Sequence, residues 1–166
     1  MKSKIFILFL IFLAVLMALF PGYSEPKSLV ENMSFQKSSN FFFTFEVTSY
    51  PLRVEIIPFE EKNITVGLVA DPWNLNFGII PLSGYGRRQV VISNFEKSRV
   101  RVYFKVYGEI KPFVSFSKDN FILYSNQSET IVVFLNTSKV SRIGNYSGQI
   151  DVIVRKPNLS FLESLV

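Results

Sequence analysis

"RVRVYFKVYG", residues 99–108, decides the fold class. Its apolar residues stand at Val100, Val102, Phe104 and Val106, and between them stand Arg99, Arg101, Tyr103, Lys105 and Tyr107. Strict alternation with a period of two marks a strand with one buried face. The first set is expected to point inward and the second outward, with Gly108 ending the strand.

The stretches on either side repeat the pattern. Upstream, "LNFGIIPLSGYGRRQVVISNF" (75–95) places Leu75 and Phe77 inward, then Val90 and Ile92. Phe77-Gly78 is expected to end one strand, and Pro81 to keep the next residues out of a central ladder. Gly84 and Gly86 are expected to supply positive φ in a broad corner. This loop contains no plausible base or metal ligand. Further upstream, Phe41, Phe43, Phe45 and Val47 share a face, Thr48–Pro51 reads as a turn, and Leu52–Ile56 alternates again. Ile64, Val66 and Leu68 form another apolar face. Downstream come short runs at 113–117 and 121–124, then Thr130–Leu135, apolar on both faces as in a central strand. Gly144–Gly148 reads as a turn before Ile150, Val152 and Val154. Nine or ten short strands with frequent turn signals, and no convincing helical stripe after the leader, predict an all-β chain folded as an antiparallel sandwich.

Composition narrows the chemistry. The chain has 166 residues, 18 of them Phe, with an apolar fraction of 48% that is ample for one core. It contains no Cys and no His, which removes thiolate and imidazole ligands, thiol nucleophiles and the commonest neutral-pH base. Net charge is +5, and without Lys2 and Lys4 it is 16 basic against 13 acidic residues, well short of a nucleic-acid-binding signature. No cofactor is expected.

The first 24 residues read as an address. Lys2 and Lys4 precede the unbroken apolar run Ile5–Phe20, followed by Pro21, Gly22, Tyr23 and Ser24. Gly22 and Ser24 make a small-x-small pattern, so a signal peptide cut after Ser24 is expected. The alternative is an uncleaved anchor, the one route by which this chain would meet a membrane, although the run is short against the ~17–25 residues of a spanning helix. Residues 25–40 read as a flexible lead-in, 41–157 as the sandwich and 158–166 as a tail. Six Asn-x-Ser/Thr sequons, at Asn32, Asn63, Asn126, Asn136, Asn145 and Asn158, agree with export, though each by itself is a weak signal.

Taken together, "LNFGIIPLSGYGRRQVVISNFEKSRVRVYFKV", "FILYSNQSETIVVFL" and "GNYSGQIDVIV" resemble the extracellular immunoglobulin-like sandwiches of archaeal and bacterial surface proteins. They are also similar to the major-sperm-protein/Hydin type of domain. The matching features are Phe77-Gly78 before a Gly-containing loop, a strand ending at Asn94, and Gly144, Tyr146 and Gly148 opening the last strand. The resemblance covers about 71–156 and implies a fold, not an activity. Residues 41–70 add about three strands to its minimal pattern.

Candidate sites are few. Glu60-Glu61 and the separated Asp71, Asp119 and Asp151 offer no pair of opposed carboxylates of the kind a glycosidase needs. Asp71 or Asp119 with nearby carbonyls could hold calcium, but no EF-hand-type motif is present. Trp73 reads as a plug at a strand entrance or as a sugar platform. The face formed by Arg99, Arg101, Tyr103, Lys105 and Tyr107, with Arg87 and Arg88 as possible neighbours, could bind acidic glycans or the carboxylates of other envelope proteins. Its bland counterpart is an ordinary solvated strand face. These readings lead to a non-enzymatic, secreted or envelope-bound interaction module of unspecified oligomeric state. The alternative is a filament subunit in which Phe41–Val47 adds to a neighbour's sheet.

Overall fold

The structure, a computed structural model, describes residues 2–19, 23–59, 75–140 and 142–165. Trp73, Glu60, Glu61, Asn63, Asp71 and the strand expected at 64–68 lie outside these residues. The apolar amino-terminal run lies in helix α1 (Lys2–Leu19), which favours no side: Ile5 through Phe12 and Val15 are all exposed. Among the described residues no helix is long and apolar enough to cross a membrane.

Beyond α1 the described residues are all-β apart from three short 3-10 turns, as their alternation predicts. Nine strands are described: β1 (Ser34–Ser39), β2 (Phe43–Ile57), β3 (Leu75–Pro81), β4 (Tyr85–Ser93), β5 (Val100–Gly108), β6 (Val114–Phe116), β7 (Phe121–Leu123), β8 (Ser128–Asn136) and β9 (Gly144–Pro157). One sheet has six strands in the order β1-β2-β9-β5-β7, with β3 also paired to β2; the other has three in the order β4-β8-β6. Pairing is antiparallel except between β2 and β3, which run parallel, so a purely antiparallel arrangement is corrected here. The inward set of β5 is as expected: Val100, Val102 and Phe104 are buried, Val106 packs half-buried against the same core, and Phe104 stacks on Phe116 with ring centroids 4.5 Å apart. Both sheets contribute to one core, the six-stranded sheet through residues such as Leu52, Ile56, Val102 and Ile150, and the three-stranded sheet through Ile92, Ile131, Val133 and Leu135.

Two expected turns are strand. Thr48–Pro51 lies inside β2, whose pairing with β9 runs without a shift from Phe43↔Pro157 to Ile56↔Gly144. What changes at this point is the buried face. Phe43, Phe45 and Val47 are buried on one side of β2, whereas Leu52, Val54 and Ile56 are buried on the other. A straight strand that moves from one core to another gives the same break in periodicity as a turn. Pro51 fits because the neighbour on that edge of β2 changes there: pairing with β1 ends at Ser49 and pairing with β3 begins at Leu52. Pro51, which lacks an N–H, therefore falls where neither strand faces it.

Gly144–Gly148 is likewise the first part of β9, paired with Leu52–Ile56. Gly148 is there for close packing. A Cβ on it would stand 2.4 Å from the carbonyl oxygen of Tyr107.

The 75–95 stretch does turn a corner, from the six-stranded sheet to the three-stranded one, and the corner is tight. β3 continues past Gly78 (φ 68°) through a register shift opposite Arg53–Glu55 and ends at Pro81. The positive φ within the corner belongs to Ser83, not to Gly84 or Gly86. Those two glycines are needed for space: a Cβ on Gly86 would stand 2.5 Å from both Ile80 Cδ1 and Phe77 Cδ1. Buried Thr137 ties the corner, donating to the Pro81 carbonyl at 2.8 Å and accepting from the Gly84 N–H at 2.8 Å.

β8 is central in its sheet, but only one of its faces is buried, because nothing among the described residues covers the side carrying Thr130 and Phe134. The stretch expected to be a lead-in contains β1, paired with β2 from Ser34↔Ser49 to Ser39↔Thr44.

Candidate interaction face

The outward residues of β5 do lie on one face, the side of the six-stranded sheet turned away from the other sheet. Register sets their neighbours: Arg101 is opposite Arg155, Tyr103 opposite Ile153, Lys105 opposite Asp151, and Tyr107 opposite Gln149. This is not an ordinary solvated face, because two stretches of the same chain lie over it.

Residues 23–30 form a strap over one end. Tyr23 Oη donates to Asp151 Oδ2 at 2.7 Å and lies 2.6 Å from Tyr107 Oη. Its single proton goes to the carboxylate, so Tyr107 donates the second bond. Lys105 Nζ stands 4.7 Å from the centre of the Tyr23 ring and 3.6 Å from Glu25 Oε1. Gln149, almost fully buried, accepts from the Val30 N–H at 2.8 Å and donates to Asp151 Oδ1. Asp151 is 2% exposed, an unusual setting for a carboxylate, and is held by these two donors. Burial, followed by the bond that Tyr23 donates to the Asp151 carboxylate, pushes its hydroxyl far above the ordinary range. A groove of about 360 Å³ remains between the strap and the sheet, with Gln36, Val47, Ser49, Gln149 and Asp151 along its floor.

The middle of the face is apolar. Tyr103 packs with Phe43, Phe45, Val47, Ile153 and Leu162, the last from the 3-10 turn Ser160–Leu165. Burial is also the cause that raises the Tyr103 hydroxyl.

The far end is basic. Arg99 Nε donates to the Glu163 carbonyl at 2.7 Å, and Arg101 Nε donates to Asn120 Oδ1 at 2.6 Å. The Arg155 guanidinium lies 4.7 Å from the centre of the Phe43 ring. Burial and then the charge of Arg101 lower the proton affinity of Arg155.

The structure therefore divides the expected patch. Tyr103, Lys105 and Tyr107 are engaged beneath the strap and the second apolar cluster, while Arg99 and Arg101 form a basic end with Arg155. Arg87 and Arg88 do not join them, because β4 belongs to the other sheet. Arg87 is exposed there, and Arg88 donates to the Asn76 carbonyl at 2.8 Å across the corner. Arg155, Asp151, Gln149 and Tyr23 also belong to this face, which the sequence did not reveal. The alternation Gln149-Asp151-Ile153-Arg155 was legible, but which strand lies beside β5 was not.

The remaining candidates have local roles. Asp119 Oδ1 accepts from the Phe104 N–H at 2.9 Å and the Asn120 N–H at 2.7 Å, capping β5 beyond its short pairing with β7. Among the described residues no group of three or more metal-type side chains is placed to hold an ion. Phe41 is exposed, and Phe43, Phe45 and Val47 are buried in β2 between β1 and β9. Of the sequon residues, Asn32, Asn126, Asn145 and Asn158 are exposed and Asn136 is half-buried. Asn158 Nδ2 donates to the Asn40 carbonyl at 2.7 Å, a bond that attachment of a glycan would disturb. Comparison with family models, with curated proteins and with solved structures found no match for this chain.

Proposed function

We propose that the protein is an exported, non-enzymatic interaction module with an immunoglobulin-like sandwich fold, acting at the cell surface or envelope. The observation that carries this reading is the basic end of the outer face, where Arg101 and Arg155 stand directly opposite each other, with Arg99 two residues before Arg101 in the same alternation. Like charges held side by side repel. A carboxylate or sulfate beside them adds an opposite charge and accepts guanidinium hydrogen bonds. Acidic glycans and the acidic side chains of envelope proteins both supply that chemistry. The leader and the exposed sequons support export and glycosylation.

The test is the double substitution Arg99→Gln and Arg101→Gln in the full chain. Retention on intact envelopes should fall, and retention of the parent protein should weaken as salt rises. Acidic oligosaccharide added as a competitor identifies a glycan partner if it releases the protein, and protease treatment of the envelopes identifies a protein partner. Salt-insensitive retention unaffected by the double substitution would overturn the reading. The filament alternative would have to exchange β1, whose residues are mostly exposed, because Thr44–Val47 is already paired on both edges.

A further inference from the structure

The expected cut after Ser24 and the fold compete for the same residue. Tyr23 lies on the leader side of that cut, yet it makes the contacts that fasten the strap: its hydroxyl bonds Asp151 and Tyr107, and its ring receives Lys105. Asp151 is buried and takes one of its two assigned hydrogen bonds from Tyr23, the other coming from Gln149. Without Tyr23 the carboxylate would lose one of these two donors and keep Gln149, while Lys105, opposite it in the ladder, stands 3.6 Å from Glu25. A buried charge that loses a donor is costly. The polar floor of Ser49, Gln149 and Asp151 has no counterpart in the apolar cluster next to it, and Gln149 and Asp151 both bond the strap.

We infer that Tyr23 is retained in the working protein, so that processing does not occur after Ser24 and the folded domain begins at Tyr23. The cleavage site suggested by the small-x-small pattern is thus reassigned as the first docking segment of the domain. Any removal of the leader then takes place upstream of Tyr23. The inference rests on the export reading only in the choice of fraction to be sampled.

The test uses the full chain, expressed with its leader in a secreting host, and intact-mass analysis of the exported fraction. The expected amino terminus is Tyr23 or a residue before it, and Ser24→Leu should leave both the mass pattern and the export yield unchanged. An exported chain beginning at Glu25, or a Ser24→Leu variant that accumulates unprocessed, would overturn the inference. A second measurement does not depend on export. In the full chain, Tyr23→Phe should speed amide exchange at Val30 by about tenfold or more, the loss expected for a hydrogen bond to a charged group. Exchange at Ile131, in the main core of the other sheet, should not change. Unchanged exchange at Val30 would overturn the docking role.

Discussion

The two faces of the six-stranded sheet are covered in different ways, and their compositions differ for that reason. The inner face meets a second sheet. That sheet satisfies its own backbone through the β4-β8-β6 ladder, so it asks only for apolar surface, and Leu52, Val54, Ile56, Val102 and Ile150 supply it. The outer face meets irregular chain. A strap such as 23–30 brings unpaired backbone groups, and a buried N–H without a partner costs free energy. The sheet beneath it accordingly presents Gln149 and Asp151, and Gln149 accepts the Val30 N–H. A β-strand with fully buried polar side chains is explained by what lies on top of it.

The largest expected effect comes from testing the inner face against the outer one within β5. Phe104→Ala should cost about 3–5 kcal/mol, the range for deleting a buried ring. Tyr103→Ala, on the half-buried outer face, should cost about 1–2 kcal/mol, within the ordinary range for single substitutions. Denaturant titrations giving equal costs would show that the two faces are equally well packed and would break the comparison.

Next in size is Gly148→Ala. The added Cβ would meet the Tyr107 carbonyl oxygen and Ile110 Cγ2, both 2.4 Å away, so β9 and β5 would have to separate. Overpacking of this kind costs about 1–3 kcal/mol. A neutral result in thermal unfolding would favour the turn expected at 144–148 over the continuous strand.

The smallest effect concerns the ion pairs at the margin of the inner face. Burial raises the Glu46 carboxyl, but hydrogen bonds from Lys156 and Lys37 outweigh it and hold the group below its ordinary value of 4.5. A carboxyl depressed by folding stabilises the protein above its unfolded value and loses that contribution as pH falls through the folded one. Glu46→Gln should therefore cost a fraction of 1 kcal/mol at pH 7 and nothing in strong acid, as expected for a partly exposed pair. Urea midpoints of both proteins, followed from pH 7 to pH 3, should converge. A constant gap would mean that Glu46 acts through packing.

Much of the fold was legible because a strand's inside and outside are written into alternate residues. Val100, Val102 and Phe104 point inward as their spacing requires, and so do Leu75, Phe77, Val90 and Ile92. The errors arose where one local pattern has two physical causes. The shift of buried parity in β2 between Val47 and Leu52 mimics a turn, and the glycines at 144 and 148 mimic one as well. β1 was missed because it pairs with only one neighbour and most of its side chains meet water, which leaves no apolar stripe to detect.

The candidate face shows the same boundary from the other side. The basic and hydroxylated residues of 99–107 were identifiable by themselves, since alternation along one strand is a local property. Their division into a covered half and a basic end was not, because it depends on Arg155, Asp151 and Tyr23, brought alongside β5 from far downstream and from the amino-terminal segment. The sequence by itself determined an all-β chain, the inward positions of its clearest strands and a leader-like amino terminus, each set by hydrophobic periodicity or composition within a short window. Only the tertiary structure decided which strands are neighbours, that one sheet carries two cores, and that Tyr23 packs against β5 and β9, because those outcomes depend on long-range contacts that no local pattern encodes.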